Sequence, residues 1–141
     1  MNANWVFSQS SGALVLDDET SPTMVIHGWS GQGAGYCNHN LQSVPGLGPI
    51  PVGKYTIGPM QDHITNTGIK MKAAMKLTPF ERNQMFGRGG FYIHGFSASD
   101  QKLIAAGKAS QCTSSEGCVI APLEGRNYIN THGIRVLEVT A

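Results

Sequence analysis

Between residues 28 and 53 the chain places seven glycines and three prolines: Gly28, Gly31, Gly33, Gly35, Gly46, Gly48 and Gly53, with Pro45, Pro49 and Pro51. No regular element survives that density, because proline removes a backbone donor and glycine carries the largest entropic cost of ordering. The segment is nevertheless interleaved with Trp29, Tyr36, Leu41, Leu47 and Ile50. A solvated linker has no use for such side chains, so the sequence predicts a long packed loop. Breakers are abundant elsewhere too. With 18 Gly and 7 Pro in 141 residues, about 18% against roughly 12% in an average chain, many turns and short strands are expected.

A chain of 141 residues is expected to form one domain spanning 1–141, since roughly 100–200 residues usually share one core. At this size roughly two thirds of the unfolded surface becomes buried, so no metal or disulfide staple is needed for stability. Charge is the outlier: charged residues are 13%, with a formal net charge of +1, where about 25% charged residues is usual. That argues against a nucleic-acid binder, which needs clustered cations, and against a polybasic membrane-surface protein. No stretch approaches the roughly 20 apolar residues of a membrane span, so no membrane insertion is expected. Residues 1–18 carry no Lys or Arg ahead of an apolar run, which predicts a protein made in the cytoplasm without a signal peptide. Three cysteines, Cys37, Cys112 and Cys118, are an odd count that does not read as a disulfide framework.

Strands are predicted over residues 5–7, 13–16, 23–26, 54–57, 75–78, 91–93 and 134–139 from short apolar or alternating runs bounded by turn residues. Two short helices are predicted. Ser97 or Ser99 caps one running from Asp100 to Ala106 and stopped by Gly107, and Pro122 opens another through Ile129 that ends near Gly133. The expected fold is a mostly β domain with two short helices and one large structured loop.

The residues most suited to chemistry lie in Phe91-Tyr92-Ile93-His94-Gly95 and in Ser115-Glu116-Gly117-Cys118. A His directly after an apolar strand is held on a rigid edge, and the following Gly permits close approach of another group. Cys118 stands between a polar turn and the apolar Val119-Ile120, so its sulfur belongs at the start of a strand. A free thiol is only a few per cent thiolate at neutral pH, and a neighbouring imidazole can remove its proton during attack. The backbone N–H groups of Gly117 and Cys118 are then expected to face the oxyanion of a tetrahedral intermediate. The bland alternative is that Cys118 is a buried small hydrophobe, as most lone cysteines are.

These blocks resemble the signature of YkuD-type L,D-transpeptidases, in which a strand-borne His-Gly precedes a Ser/Thr-x-Gly-Cys turn. More specifically, the chain resembles the type VI secretion L,D-transpeptidase effectors, toxins aimed at bacterial peptidoglycan. The likeness extends to Trp5, Phe7, Gln9, Gly12 and Leu14, to Ser30-Gly31 and Gly33, to Gly48 through Ile57, and to Met85 through Phe91. It implies a YkuD-like β-sandwich or β-rich domain with Cys118 as nucleophile, His94 as general base, and Ser115 and Gly117 shaping the oxyanion turn, without a cofactor or metal. It also implies attack on the carbonyl joining the L-centre of meso-diaminopimelate to the terminal D-Ala of tetrapeptide stems. The outcome would be hydrolysis (L,D-carboxypeptidase) or exchange for another D-amino acid (L,D-transpeptidase). An effector of this kind would be carried by the type VI secretion apparatus into the periplasm of a target bacterium and be neutralised by a cognate immunity protein.

Two positions depart from the wider pattern: Glu116 stands where many relatives have His, and Ile120 where many have Arg. A guanidinium fork suits a carboxylate, so Arg88 is the expected substitute clamp for the stem peptide, the alternative being a solvated loop Arg. Glu116 reads as a turn residue or as a partner for the substrate's free amine, and Gly95 as part of the substrate-binding edge. Two rival functions remain open from sequence: a cysteine peptidase or amidase cutting within the stem, and a non-catalytic wall-binding module. A zinc set of Cys37, His39, Cys112 and Cys118 lacks the close ligand spacing of such sites. Cys112 is read as buried, or as a disulfide partner of Cys37 or Cys118. His27-Gly28 and His132-Gly133 read as structural.

Overall fold

Trp5 and Phe7 are fully buried while Asn4, Val6 and Ser8 of the same strand stay partly exposed, the period of two that sets one face of a strand against a core. That strand, β1 (Asn4–Ser8), pairs antiparallel with β2 (Ala13–Asp17) and parallel with β9 (Val136–Thr140), whose Leu137 and Val139 are buried in the same way. The computed structural model describes residues 4–17, 25–64, 68 and 70–141. Within them β3 (Val25–His27) pairs with β2, and β4 (Trp29–Ser30) follows after the single residue Gly28. The remaining strands are β5 (Gly53–Ile64), β6 (Lys70–Pro79), β7 (Tyr92–His94) and β8 (Val119–Ile120). Thr23 and Met24, expected to begin the third strand, lie outside the described residues.

These strands form one hydrogen-bonded sheet in the order β3-β2-β1-β9-β5-β6-β7-β8-β4. Its two outermost strands, β3 and β4, are consecutive in the chain with only Gly28 between them. Neighbouring Cα atoms are about 3.8 Å apart, so the sheet must roll up until its edges adjoin. Gly28 marks the seam. Its N–H donates to the Gly12 carbonyl at 2.9 Å, and a β-carbon there would collide with the carbonyl oxygen of Ile120. The expected mostly β architecture with two short helices is therefore what forms, its two layers being opposed walls of one rolled sheet.

The helices are α1 (Ala98–Ala105) and α2 (Leu123–His132). Ser97 caps α1, its Oγ accepting the Asp100 N–H at 3.2 Å, and Gly133 ends α2 at a φ of 73° that a glycine adopts without strain. Pro122 is the residue before α2 rather than its first turn. The β5–β6 hairpin extends well beyond the predicted 54–57 and 75–78. Its outer half mixes exposed with partly buried residues, with register shifts between Ile57 and Met60 and between Gln61 and His63, so backbone pairing rather than a regular apolar pattern carries it. The breaker-rich loop packs as expected: Ile50 is fully buried, and the buried Gln9 donates to its carbonyl at 2.7 Å.

Candidate active site

The parallel pairing of β7 with β8 sets Ile93 beside Val119 and His94 beside Ile120. Ile93 and Val119 are both fully buried. Because side chains alternate, Tyr92, His94 and Cys118 turn to the opposite face. All three line one cleft of about 710 Å³, together with Arg88, Gly90, Phe91, Thr113, Ser114 and Glu116. Cys118 and His94 thus line the same cleft, each side chain partly exposed.

His94 Nδ1 lies 2.6 Å from the Gly95 carbonyl oxygen. A carbonyl only accepts, so Nδ1 carries the proton and Nε2 is left as the basic nitrogen. Burial holds the imidazole below the usual histidine range, the Gly95 hydrogen bond opposes this, and the Arg126 charge lowers it further. Burial pushes the Cys118 thiol up to about 11; the Tyr92 backbone and the Arg88 charge pull it down, and the Glu116 carboxylate raises it. Cys118 Sγ is 3.9 Å from the Gly90 carbonyl, a weak S–H donor contact. Near neutral pH the Cys118 thiol and the His94 imidazole are therefore both uncharged.

Ser115 is fully buried and fully used. Its Oγ accepts the Gly31 N–H at 2.9 Å and the Gly117 N–H at 3.2 Å, and donates to the Cys118 carbonyl at 2.6 Å. Ser30 Oγ donates to the Gly117 carbonyl at 3.0 Å and accepts the Ile50 N–H at 2.8 Å. Both hydroxyls fasten the Cys turn to the packed loop. The Gly117 N–H, expected to face an oxyanion, is instead held by Ser115. Gly117 itself has a φ of 132°, and a β-carbon there would lie 2.5 Å from Arg88 Nη2 and 2.6 Å from Phe91 Cε1.

Arg88 is not the free clamp expected of it. Nη1 donates to the carbonyls of Gln42 and Pro49 at 2.5 and 2.7 Å, and Nη2 to those of Gly48 and Glu116 at 3.0 and 3.1 Å. Its Cζ sits 5.2 Å from the centre of the Phe91 ring. A guanidinium satisfied by four carbonyls joins the Pro/Gly loop to the Cys turn and presents its charge beneath the cleft. Gly95 likewise acts from behind: it is not among the cleft-lining residues, and a β-carbon there would meet Arg126 Nη2 at 2.6 Å. Glu116 is exposed on the cleft lining.

Two charged residues that read in the sequence as ordinary helix positions are buried. Asp100 is 1% exposed and accepts the N–H groups of Thr113 (3.1 and 3.2 Å) and Ser114 (2.7 Å) as well as the Ser114 hydroxyl. It shapes the loop that forms one side of the cleft. The spacing Ser97-x-x-Asp100, a helix-start signature, was the available signal. Arg126 of α2 is the other. Among the described residues no cluster of three His, Cys, Asp or Glu could hold a metal. Cys37 and Cys112 pack in a second apolar cluster with Trp29 and Ile120, whereas His39 Nδ1 is bonded to Gln9 Oε1 at 2.5 Å. The four residues considered as zinc ligands are thus not gathered, and all three cysteines are free thiols. His132 packs against Tyr128 and Trp5.

A family model described as the Tlde1 domain matches residues 24–136. The chain belongs to that family. Tlde1 domains are L,D-transpeptidase-like and belong to type VI effectors, in keeping with the resemblance read from the motifs. No curated protein matches the sequence. The Tlde1 fold is that of solved L,D-transpeptidases. An L,D-transpeptidase from Mycobacterium smegmatis aligns over 99% of this chain and 59% of its own, with a TM-score of 0.60 at 13% identity. Mycobacterium tuberculosis L,D-transpeptidase 1 aligns over 99% and 62%, with 0.57 at 13%. Another L,D-transpeptidase from Mycobacterium tuberculosis H37Rv aligns over 99% and 57%, with 0.53 at 16%. The chain therefore spans about three fifths of the length of these proteins.

Proposed function

We propose that this Tlde1 domain is a cysteine acyl-transfer enzyme acting on the tetrapeptide stems of peptidoglycan, as an L,D-carboxypeptidase, an L,D-transpeptidase, or both. The observation that carries the reading is that Cys118 and His94 line one cleft, with the His94 Nδ1 proton committed to Gly95. His94 Nε2 takes the Sγ proton as sulfur attacks the carbonyl between the L-centre of diaminopimelate and the terminal D-Ala. The Gly117 N–H is engaged by Ser115, and the N–H of Cys118 is the donor this reading assigns to the oxyanion. Collapse of the tetrahedral adduct breaks the C–N bond, and the leaving D-Ala amine takes the proton back from His94. Water, or the amine of another D-amino acid, then attacks the thioester with His94 again as base. It releases the thiol and either a tripeptide or an exchanged tetrapeptide. Positioned proton transfer of this kind contributes typically about 10²–10⁴ in rate.

The family supports an effector role, and the reading extends to delivery by a type VI apparatus into a neighbour's periplasm and to an immunity protein covering the cleft. Purified muropeptides test the chemistry: loss of only the terminal D-Ala, or its exchange, supports it, and a cut inside the stem refutes it. Expression in a test bacterium with an added periplasmic signal tests the biology. The parent protein should be toxic, and the Cys118→Ala and His94→Ala variants should not. Equal toxicity of all three would overturn an enzymatic role.

A further inference from the structure

The guanidinium of Arg126 is the most unusual group outside the cleft. Its residue is only 8% exposed, and the single ion pair among the described residues is between Lys70 and Asp62. Carbonyl dipoles therefore replace a carboxylate around it. Nε donates to Ala121 at 3.1 Å, and Nη1 to Lys72 at 3.1 Å and Ala73 at 2.8 Å. Ala73 has a φ of 50° and lies where the β5–β6 register shifts, so the bulge turns two successive carbonyls toward the arginine. Nη2 is pressed against Gly95, close enough that any β-carbon there would collide with it.

Two of those neighbours, Gly95 and Ala121, are hydrogen-bonded to His94. Gly95 supplies the carbonyl that holds His94 Nδ1, and the Ala121 N–H donates to the His94 carbonyl at 3.0 Å. Arg126 thus grips both residues that grip His94, one through a hydrogen bond and the other through contact. We propose that Arg126 is the positioning residue of the catalytic histidine, clamping Gly95 and Ala121 so that the His94 ring keeps its Nδ1–H tautomer and presents Nε2 to Cys118. The inference rests on the reading of Cys118 and His94 as the acyl-transfer pair. Arg126 touches no substrate; it acts through His94. Its charge also disfavours the imidazolium. The other ionisable groups near the imidazole are Cys118, Glu116 and Arg88 around the shared cleft, Tyr92 on its own strand, and His63, whose ring packs 4.9 Å from that of Tyr92.

The test combines kinetics with nitrogen-15 NMR of the histidine side chains in the parent protein, Arg126→Gln, Arg126→Lys and Gly95→Ala. Arg126→Gln removes the charge. The His94 titration midpoint should move upward, the Nδ1–H tautomer should lose its dominance, and kcat on tetrapeptide should fall about tenfold to a hundredfold with little change in KM. Arg126→Lys retains the charge but cannot span three carbonyls, so it should lose kcat with a smaller shift in midpoint. Gly95→Ala keeps the charge of Arg126 but displaces the side chain, and should disturb the tautomer and lower kcat with a smaller shift in midpoint. If the His94 midpoint and tautomer match the parent in all folded variants, Arg126 is merely structural and the proposal fails. The NMR readout is independent of turnover. Should the parent not cleave tetrapeptides, the functional reading falls while the His94 spectra still decide the role of Arg126. If Arg126→Gln does not fold, Gly95→Ala and Arg126→Lys decide it.

Discussion

The His94 Nδ1–H donates to the carbonyl of the next residue, Gly95, at 2.6 Å, so the orientation of the imidazole is set by the backbone. Burial holds His94 below its ordinary range and takes Cys118 up to about 11. The expected pH profile follows. A base must be unprotonated to work, so kcat/KM should rise through a midpoint below the histidine value of about 6.5 and stay flat across neutral pH. Alkylation of Cys118 by iodoacetamide, read by mass spectrometry of its peptide, should climb steadily from pH 7 to 10. A plateau already reached near pH 5 would mean a preformed thiolate–imidazolium pair and would refute this account.

Arg88 bridges four carbonyls of the Pro/Gly loop and the Cys turn. A lysine carries the same charge but only one donor centre, so Arg88→Lys should leave several buried carbonyls unpaired. The expected loss is about 2–4 kcal/mol of stability, at a typical net value per charged hydrogen bond, or roughly 5–15 °C in Tm. A substrate clamp behaves differently: its loss raises KM and leaves Tm unchanged. Calorimetry beside tetrapeptide kinetics separates the two.

The Arg88 result shows where sequence reasoning stops. The placement of Cys118 and His94 at one cleft was legible because each adjoins an end of a short apolar strand, and a strand end fixes a side chain's direction. The Gly-rich loop was legible as packed because Ile50 and Trp29 need a core. Arg88 was misread because a side chain's partners across 40 residues are set by the rolled sheet, which brings residues 42–49 under the Cys turn. Asp100 and Arg126 were missed for a related reason. Each looks like an ordinary surface charge on a short helix, and only the packing of that helix against a loop or a bulge buries it. The outer β5–β6 hairpin escaped because its apolar residues, Met60, Ile64 and Met71, are scattered among polar ones and its register shifts break the period of two.

Asp100 holds Thr113 and Ser114, two residues of the cleft wall, through their backbone N–H groups. Asp100→Asn replaces one carboxylate oxygen by an amide that repels those donors. Stability should fall by about 1–3 kcal/mol, and KM for the tetrapeptide should rise several-fold while kcat changes less, because the wall moves and the Cys–His pair does not. Ser97→Ala is the matched control. It removes the α1 cap, costing about 1 kcal/mol, and should leave KM alone. Equal KM values for the two variants would contradict this role for Asp100.

Gly117 is constrained twice over, by a φ of 132° and by the 2.5 and 2.6 Å approaches that a β-carbon would make to Arg88 and Phe91. Neither constraint can be relieved alone, since rotating φ would tear the Gly117 N–H from Ser115 and its carbonyl from Ser30. Gly117→Ala should therefore cost about 2–4 kcal/mol, combining backbone strain with overpacking, and displace Sγ enough to lower kcat by about a hundredfold. Ser115→Ala gives the complementary result. It frees the Gly117 N–H, so a gain or retention of activity would mean that this N–H can serve an oxyanion once released. We expect loss, because the same serine also anchors Gly31 and the Cys118 carbonyl, and a nucleophile on an unfastened turn does not keep its distance from His94. Thermal unfolding and single-turnover acylation of both variants check the two outcomes separately.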